Sequence, residues 1–214
     1  MLIPVNGLIA LFKRMYDEHW AYKWGAAQQG NVDCSGAFVW AYKRFGKTIA
    51  HGSNTIARAN VVELLPVSKA EPGMAAFKVR VWRESDSGNR WYKQPPGDCY
   101  HIGLVDETGK YVYNAQSEKA GFTKTAISKW GYVGYLNAVD YEDQTPAPAP
   151  EVPASIGIAH VVGGRLNVRE KPGGAKITQL PEGTEVDVLE TDGEWSRIEY
   201  AATGWVKDEY LARG

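Results

Sequence analysis

The stretch QTPAPAPEVPAS, residues 144–155, constrains this chain more than any other. Alternating Pro and Ala fixes φ and removes backbone donors, so the stretch builds neither a helix interior nor a central strand. It favours an extended, stiff spacer. The chain on either side must bury its own core, which sets expected boundaries at 1–143, a spacer at 144–155 and a second domain at 156–214. A proline-rich ligand for a partner domain is the alternative reading of the same residues.

With 44% hydrophobic and 23% charged residues in 214, each part has the composition of an ordinary globular domain. A formal net charge of −1 lacks the basic excess of a nucleic-acid footprint, so no nucleic-acid partner is expected. No apolar run reaches the ~18 residues of a membrane span. The apolar start, MLIPVNGLIALFKRM, lacks a basic n-region and a small-residue cleavage site, and reads as a helix of the folded domain.

In the first segment Leu8, Leu11, Phe12, Met15, Tyr16 and His19 recur at helical spacing, with His19 read as a core or boundary residue. A second stripe, Cys34, Ala37, Phe38, Ala41, Tyr42 and Phe45, ends at Gly46, where a C-terminal cap belongs. Asp33 stands at the N-cap position, which places Cys34 in the first turn of that helix. Beyond residue 70 the period changes: AAFKVRVW alternates, and HIGLVDE and KYVYNAQ flank the turn ETGK. Helices followed by an antiparallel sheet make an α+β domain.

Cys34 has two readings. Free cysteine is among the most buried residue types, yet a cysteine at a helix N-terminus is also placed for nucleophilic attack. The second reading needs a histidine, and a third group to orient it. Of the four histidines, His160 lies in the second segment and His51 in the polar loop AHGSN, whereas His101 begins a strand. A two-residue turn at Thr108 and Gly109 would pair Val105 with Val112, Gly103 with Asn114 and His101 with Gln116. Asn114 and Gln116 then share the face of His101, and either amide can accept its N–H. As a nucleophile Cys34 must stay unpaired with Cys99. The His and Cys spacing is not that of a zinc site, so neither metal nor cofactor is expected.

The ordered series YKWGAAQQGNVDCSGAFVWAYKRFG, EPGMAAF and HIGLVDETGKYVYNAQ resembles the NlpC-type cysteine peptidases, papain-like enzymes that cleave bacterial cell-wall peptides. The resemblance covers about 120 residues. It implies Cys34 as nucleophile, His101 as base and Asn114 as the third polar residue, with Gln116 as the alternative. It also implies that Tyr22, Asp33 and Ser35 line a pocket for the amino end of the substrate. Met74 stands where the family carries an acidic residue, and the long stretch 80–97 is expected to roof the groove.

In the second segment RLNVRE, ITQLP, EVDVLET, EWSRIEY and GWVKDEYL are short strands separated by Gly/Pro turns, the pattern of a small all-β barrel. The segment resembles bacterial SH3-type domains, which attach enzymes to the wall or shape their substrate groove. Trp195 reads as a barrel core residue; for Trp205 core and ligand-contact readings stay open.

Together the two resemblances imply a hydrolase of peptidoglycan stem peptides, cutting the γ-D-glutamyl bond to the diamino acid and held to the bacterial cell wall by its SH3-type domain. The alternatives are a muramoyl–L-alanine amidase, a phage endolysin of other bond specificity, and a wall-binding module without catalysis. The expected place of action is the bacterial wall, reached by secretion with a signal removed or by phage-lysin-like release.

Overall fold

The apolar stripe of the first segment becomes helix α1 (Val5–Asp17), which buries Leu8, Leu11, Phe12 and Met15. The computed structural model describes residues 2–81, 91, 94–142, 155–199 and 203–213. Most of the spacer, and residues 82–90, 92 and 93 of the expected roof, therefore lie outside the described residues. The helix stops before His19, which is exposed with φ of 56° and bonds through Nδ1 to the Asp17 carbonyl. His19 is thus outside the core, and Tyr16 is 39% exposed. The last turn leaves the apolar stripe because a left-handed residue redirects the chain so that Trp20 is buried instead.

The second stripe forms α2 (Gly36–Arg44), which buries Ala37, Phe38, Trp40, Ala41 and Tyr42. Phe38 meets Phe12 of α1 edge-on with ring centroids 4.8 Å apart, joining the two helices in one core. Gly46 has φ of 64°, and the N–H of Lys47 returns to the Tyr42 carbonyl, so the glycine closes the helix as its position suggested. A third helix, α3 (Ser53–Ala59), follows.

The helices pack on a six-stranded antiparallel sheet in the order Leu65–Pro66, Tyr132–Gly134, Ala75–Arg80, Asp98–Val105, Tyr111–Ser117 and Gly121–Ala126. The central hairpin pairs Val105 with Val112 and Leu104 with Tyr113. One bulge falls between Lys78 and Val79 opposite Tyr100, and another at Gln116. This unit is α+β.

The chain divides into two compact units, Met1–Glu151 and Val152–Gly214. The second is all β: a seven-stranded antiparallel sheet in the order Lys176–Leu180, Leu166–Arg169, Thr203–Lys207, Trp195–Glu199, Glu185–Asp192, Gly157–Val161 and Leu211–Arg213. Among the described residues no pairing joins the two end strands, so the sheet curls around its core without closing by hydrogen bonds. That core is Ala159, Val161, Leu166, Val168, Leu180, Val186, Val188, Ile198 and Val206. Trp195 and Trp205 are absent from it and half-buried. Strand alternation explains this: Val206, Ser196 and Ile198 take the inner face, which turns both tryptophans outward.

No helix among the described residues is long and apolar enough to cross a membrane.

Candidate active site

Cys34 sits in the turn immediately before α2 rather than inside the helix. The hydrogen bonds nevertheless begin at Asp33: its carbonyl accepts the Ala37 N–H at 3.1 Å. Its Oδ1 accepts the N–H groups of Ser35 and Gly36 at 3.0 and 2.6 Å and the Ser35 hydroxyl at 3.1 Å. Asp33 thus caps the helix by side chain and main chain together.

Gly36 permits the fold here. A Cβ at this position would lie 1.9 Å from the Ala26 carbonyl oxygen, because the turn before the nucleophile is pressed against the helix start. Gly36→Ala is therefore expected to cost about 3 kcal/mol, the upper end for a forced backbone shift. In thermal unfolding of the full chain that lowers the first unit's Tm by roughly 6–12 °C.

Asp33 is only 5% exposed. Its Oδ2 accepts the Gly25 N–H at 2.8 Å, and His51 Nε2 lies 3.0 Å from both oxygens. Burial by itself would raise this carboxyl, but the bonds from His51, Gly36 and Gly25 win and hold it below the usual range. In turn the bond to Asp33 raises His51, against a smaller opposing effect of burial. Sequence reasoning passed over His51 because a polar loop gives no sign of where it will fold back. Protein donors therefore occupy both oxygens of Asp33, and Ser35 is buried with its hydroxyl directed at Asp33.

His101 stands in the Asp98–Val105 strand, 8% exposed, and its Nε2 lies 2.9 Å from Asn114 Oδ1. Asn114 Nδ2 donates to the Val112 carbonyl at 3.1 Å and to Thr125 Oγ1 at 3.2 Å, which leaves Oδ1 as the acceptor. His101 therefore carries its proton on Nε2 and keeps a lone pair on Nδ1. A Cβ at Gly103 would meet Asn114 Cβ at 2.9 Å, so the glycine lets the asparagine reach across to the histidine.

The same alternation puts Gln116 on this face, but the bulge diverts it. Its side chain is exposed, and Oε1 accepts from Thr123 Oγ1 at 3.1 Å. Trp130 closes the other side: its ring stacks on His101 at 5.4 Å and 22°, and Nε1 donates to Thr125 Oγ1 at 3.1 Å. Lys78, paired with His101 across the strands, lies over the Trp130 ring with its ammonium 4.9 Å from the centroid. Neither Trp130 nor Thr125 carries a local sequence signal, since both arrive through long-range sheet pairing.

The Cys34 thiol adjoins this strand, within the influence of the Ile102 N–H. Burial, then the charge of Asp33, pushes it up to about 11, against a lowering effect from the N–H groups of Ile102, Ser35 and Cys34 itself. Burial likewise holds His101 below its usual value, with Lys78 adding to the effect and Asn114 opposing it. Both shifts favour the thiol and the neutral imidazole near neutral pH. Alkylation of Cys34 by iodoacetamide, followed by mass spectrometry, should accelerate about tenfold per pH unit from pH ~7 to ~9 with no plateau. Levelling off below neutrality would contradict it.

Tyr22, half-buried on a strand beside Asn31–Val32, completes the group. Burial raises its hydroxyl, followed by the charges of Cys34, Asp33 and Glu118. Cys34 and Cys99 are free thiols, and Cys99 is wholly buried. Among the described residues no cluster of His, Cys, Asp and Glu is arranged to hold a metal ion.

Residues 164–212 match the bacterial SH3 domain family. A search of curated proteins returned no match. Among solved structures the chain is similar to NlpC2 from Trichomonas vaginalis at 18% identity and TM-score 0.44, over 60% of this chain and 45% of that one. It is similar to the peptidoglycan hydrolase RipB from Mycobacterium tuberculosis at 17% and 0.45, over 64% and 67%. An NLP/P60-family lipoprotein-like protein from Staphylococcus aureus gives 16% and 0.42, over 62% and 41%. The chain thus spans less than half the length of the first and third.

Proposed function

We propose that the first unit is an NlpC-type cysteine peptidase that cleaves peptidoglycan stem peptides, at the γ-D-glutamyl bond to the diamino acid. The observation that carries this reading is the bond from His101 Nε2 to Asn114 Oδ1 at 2.9 Å, which leaves Nδ1 free on the strand that adjoins the Cys34 thiol. The match of residues 164–212 to the bacterial SH3 domain family supports action at the cell wall.

In this mechanism His101 Nδ1 takes the thiol proton as the Cys34 sulfur attacks the scissile carbonyl, which offsets the burial that raises the thiol. The tetrahedral oxyanion is held by the Cys34 backbone N–H and a further donor. His101 then protonates the departing amine, leaving a thioester on Cys34. Water, deprotonated by His101, attacks that thioester and releases the carboxylic acid, which restores thiol and neutral imidazole. Asn114 keeps the imidazole in one tautomer throughout. Tyr22, Asp33 and Ser35 supply two hydroxyls and a carboxylate for the substrate's amino end, beside the Cys34 nucleophile.

The deciding experiment is a digest of purified peptidoglycan and of soluble stem peptides with the unaltered chain and with Cys34→Ala, read by mass spectrometry. New ends at D-Glu and the diamino acid, absent with Cys34→Ala, support the proposal. Ends at muramic acid and L-Ala replace it with an amidase, and no product from either substrate overturns catalysis.

A further inference from the structure

A groove of about 500 Å³ crosses the outer face of the second unit, lined in part by Arg165, Asn167, Arg169, Trp195, Lys207 and Tyr210. Its composition follows from strand alternation. Leu166, Val168, Val206 and Ile198 point into the core, so Asn167, Arg169, Lys207 and Trp195 must point the other way. Trp195 and Lys207 are direct cross-strand partners, which sets an aromatic face beside an ammonium group. Tyr210 is 39% exposed and adds a second ring.

Charge in the groove is unbalanced. Three cations, Arg165, Arg169 and Lys207, line it together with one carboxylate, that of Glu209. Glu209 and Glu194 approach Lys207 only loosely, at 3.5 and 3.7 Å. Arg169 is steadied by a 2.7 Å bond from Nη1 to the Gly174 carbonyl, which fixes its guanidinium at the groove edge. Flat rings suit the apolar faces of sugar rings, and interleaved cations suit an anion carried on or between them. A neutral peptide would leave the cations unused.

We infer that this groove binds an anionic carbohydrate polymer, with Trp195 and Tyr210 stacking on sugar units and Arg165, Arg169 and Lys207 meeting the phosphate or carboxylate they carry. The inference rests on the wall reading above only for where such a polymer is met.

The test uses the full chain with Cys34→Ala, so that no wall peptide is cut during binding. Calorimetry would compare a sugar-bearing glycerol-phosphate polymer, a polyuronate and poly-L-glutamate. Binding to the first identifies phosphate as the anion, and binding to the second identifies carboxylate; either supports the inference. Affinity should fall about tenfold with Trp195→Ala, and again with Arg165→Ala plus Lys207→Ala. It should also weaken as salt rises from ~0.05 to ~0.5 M. Circular dichroism and thermal unfolding of each variant establish that it is folded. No binding to either carbohydrate polymer overturns the inference, as does poly-L-glutamate binding that ignores Trp195→Ala. Cleavage of soluble stem peptides by the unaltered chain tests the peptidase proposal separately, so each can fail without the other.

Discussion

Asn114→Ala should lower kcat for stem-peptide cleavage by about 10²-fold, the lower end of what positioned acid–base catalysis supplies, while Gln116→Ala stays within about twofold. Both amides follow His101 at strand-compatible spacing, but only Asn114 bonds to the imidazole. Gln116 sits in a bulge and bonds to Thr123. Without Asn114 Oδ1 the proton on His101 is free to move to Nδ1, and the ring then presents a donor to the thiol instead of a lone pair. The loss should fall on kcat and leave KM nearly unchanged, because Asn114 is 1% exposed and out of reach of substrate. Asn114→Gln, with its longer arm, should recover little. If Gln116→Ala proved the more damaging of the two, the orienting residue would have to be reassigned.

The choice between these amides shows where a sequence stops speaking. Alternation placed both on the His101 face, and the two-residue turn at Thr108 and Gly109 gave the correct pairing of Val105 with Val112. A bulge is set by how one strand bends over its neighbours, so nothing in KYVYNAQS marks Gln116 as the residue that leaves the ladder. The helix that presents Cys34 was legible because its signals are local: Asp33 before it, the apolar stripe within it and Gly46 after it. His51, Thr125 and Trp130 were not legible. Each reaches the site through contacts between distant parts of the chain, and none differs in composition from a loop or core residue. The outward turn of Trp195 is not legible for a related reason: large aromatics suit a core, and only the register of the strand shows that Ser196 and Ile198 take the inner face.

Asp33→Ala should destabilise the first unit by about 3–5 kcal/mol, because the buried N–H groups of Ser35 and Gly36 lose their acceptor at roughly 1–3 kcal/mol each and the bond to His51 goes with them. Thermal unfolding would read this as a fall in Tm of roughly 6–20 °C. The substitution strips the acceptor from Gly25, Ser35, Gly36 and His51 at once, and those donors lie in the turn and helix start that hold Cys34. The pH dependence separates the two charges. Asp33 is lowered in the folded state, so its contribution is present above the unfolded carboxyl value near ~4 and is lost as acid protonates the folded group. His51 is raised, so its contribution is complete below ~6.5 and is lost as pH climbs through its folded value. The Tm difference between the unaltered chain and His51→Ala should therefore be greatest between pH ~5 and ~6 and shrink in alkali. A difference that stayed constant from pH ~5 to ~9 would mean that His51 acts through packing alone. The activity of His51→Ala follows from the same geometry. Loss of the imidazolium leaves the Asp33 charge less compensated beside Cys34, and that charge raises the thiol. Alkylation of Cys34 at fixed pH should therefore slow in this variant.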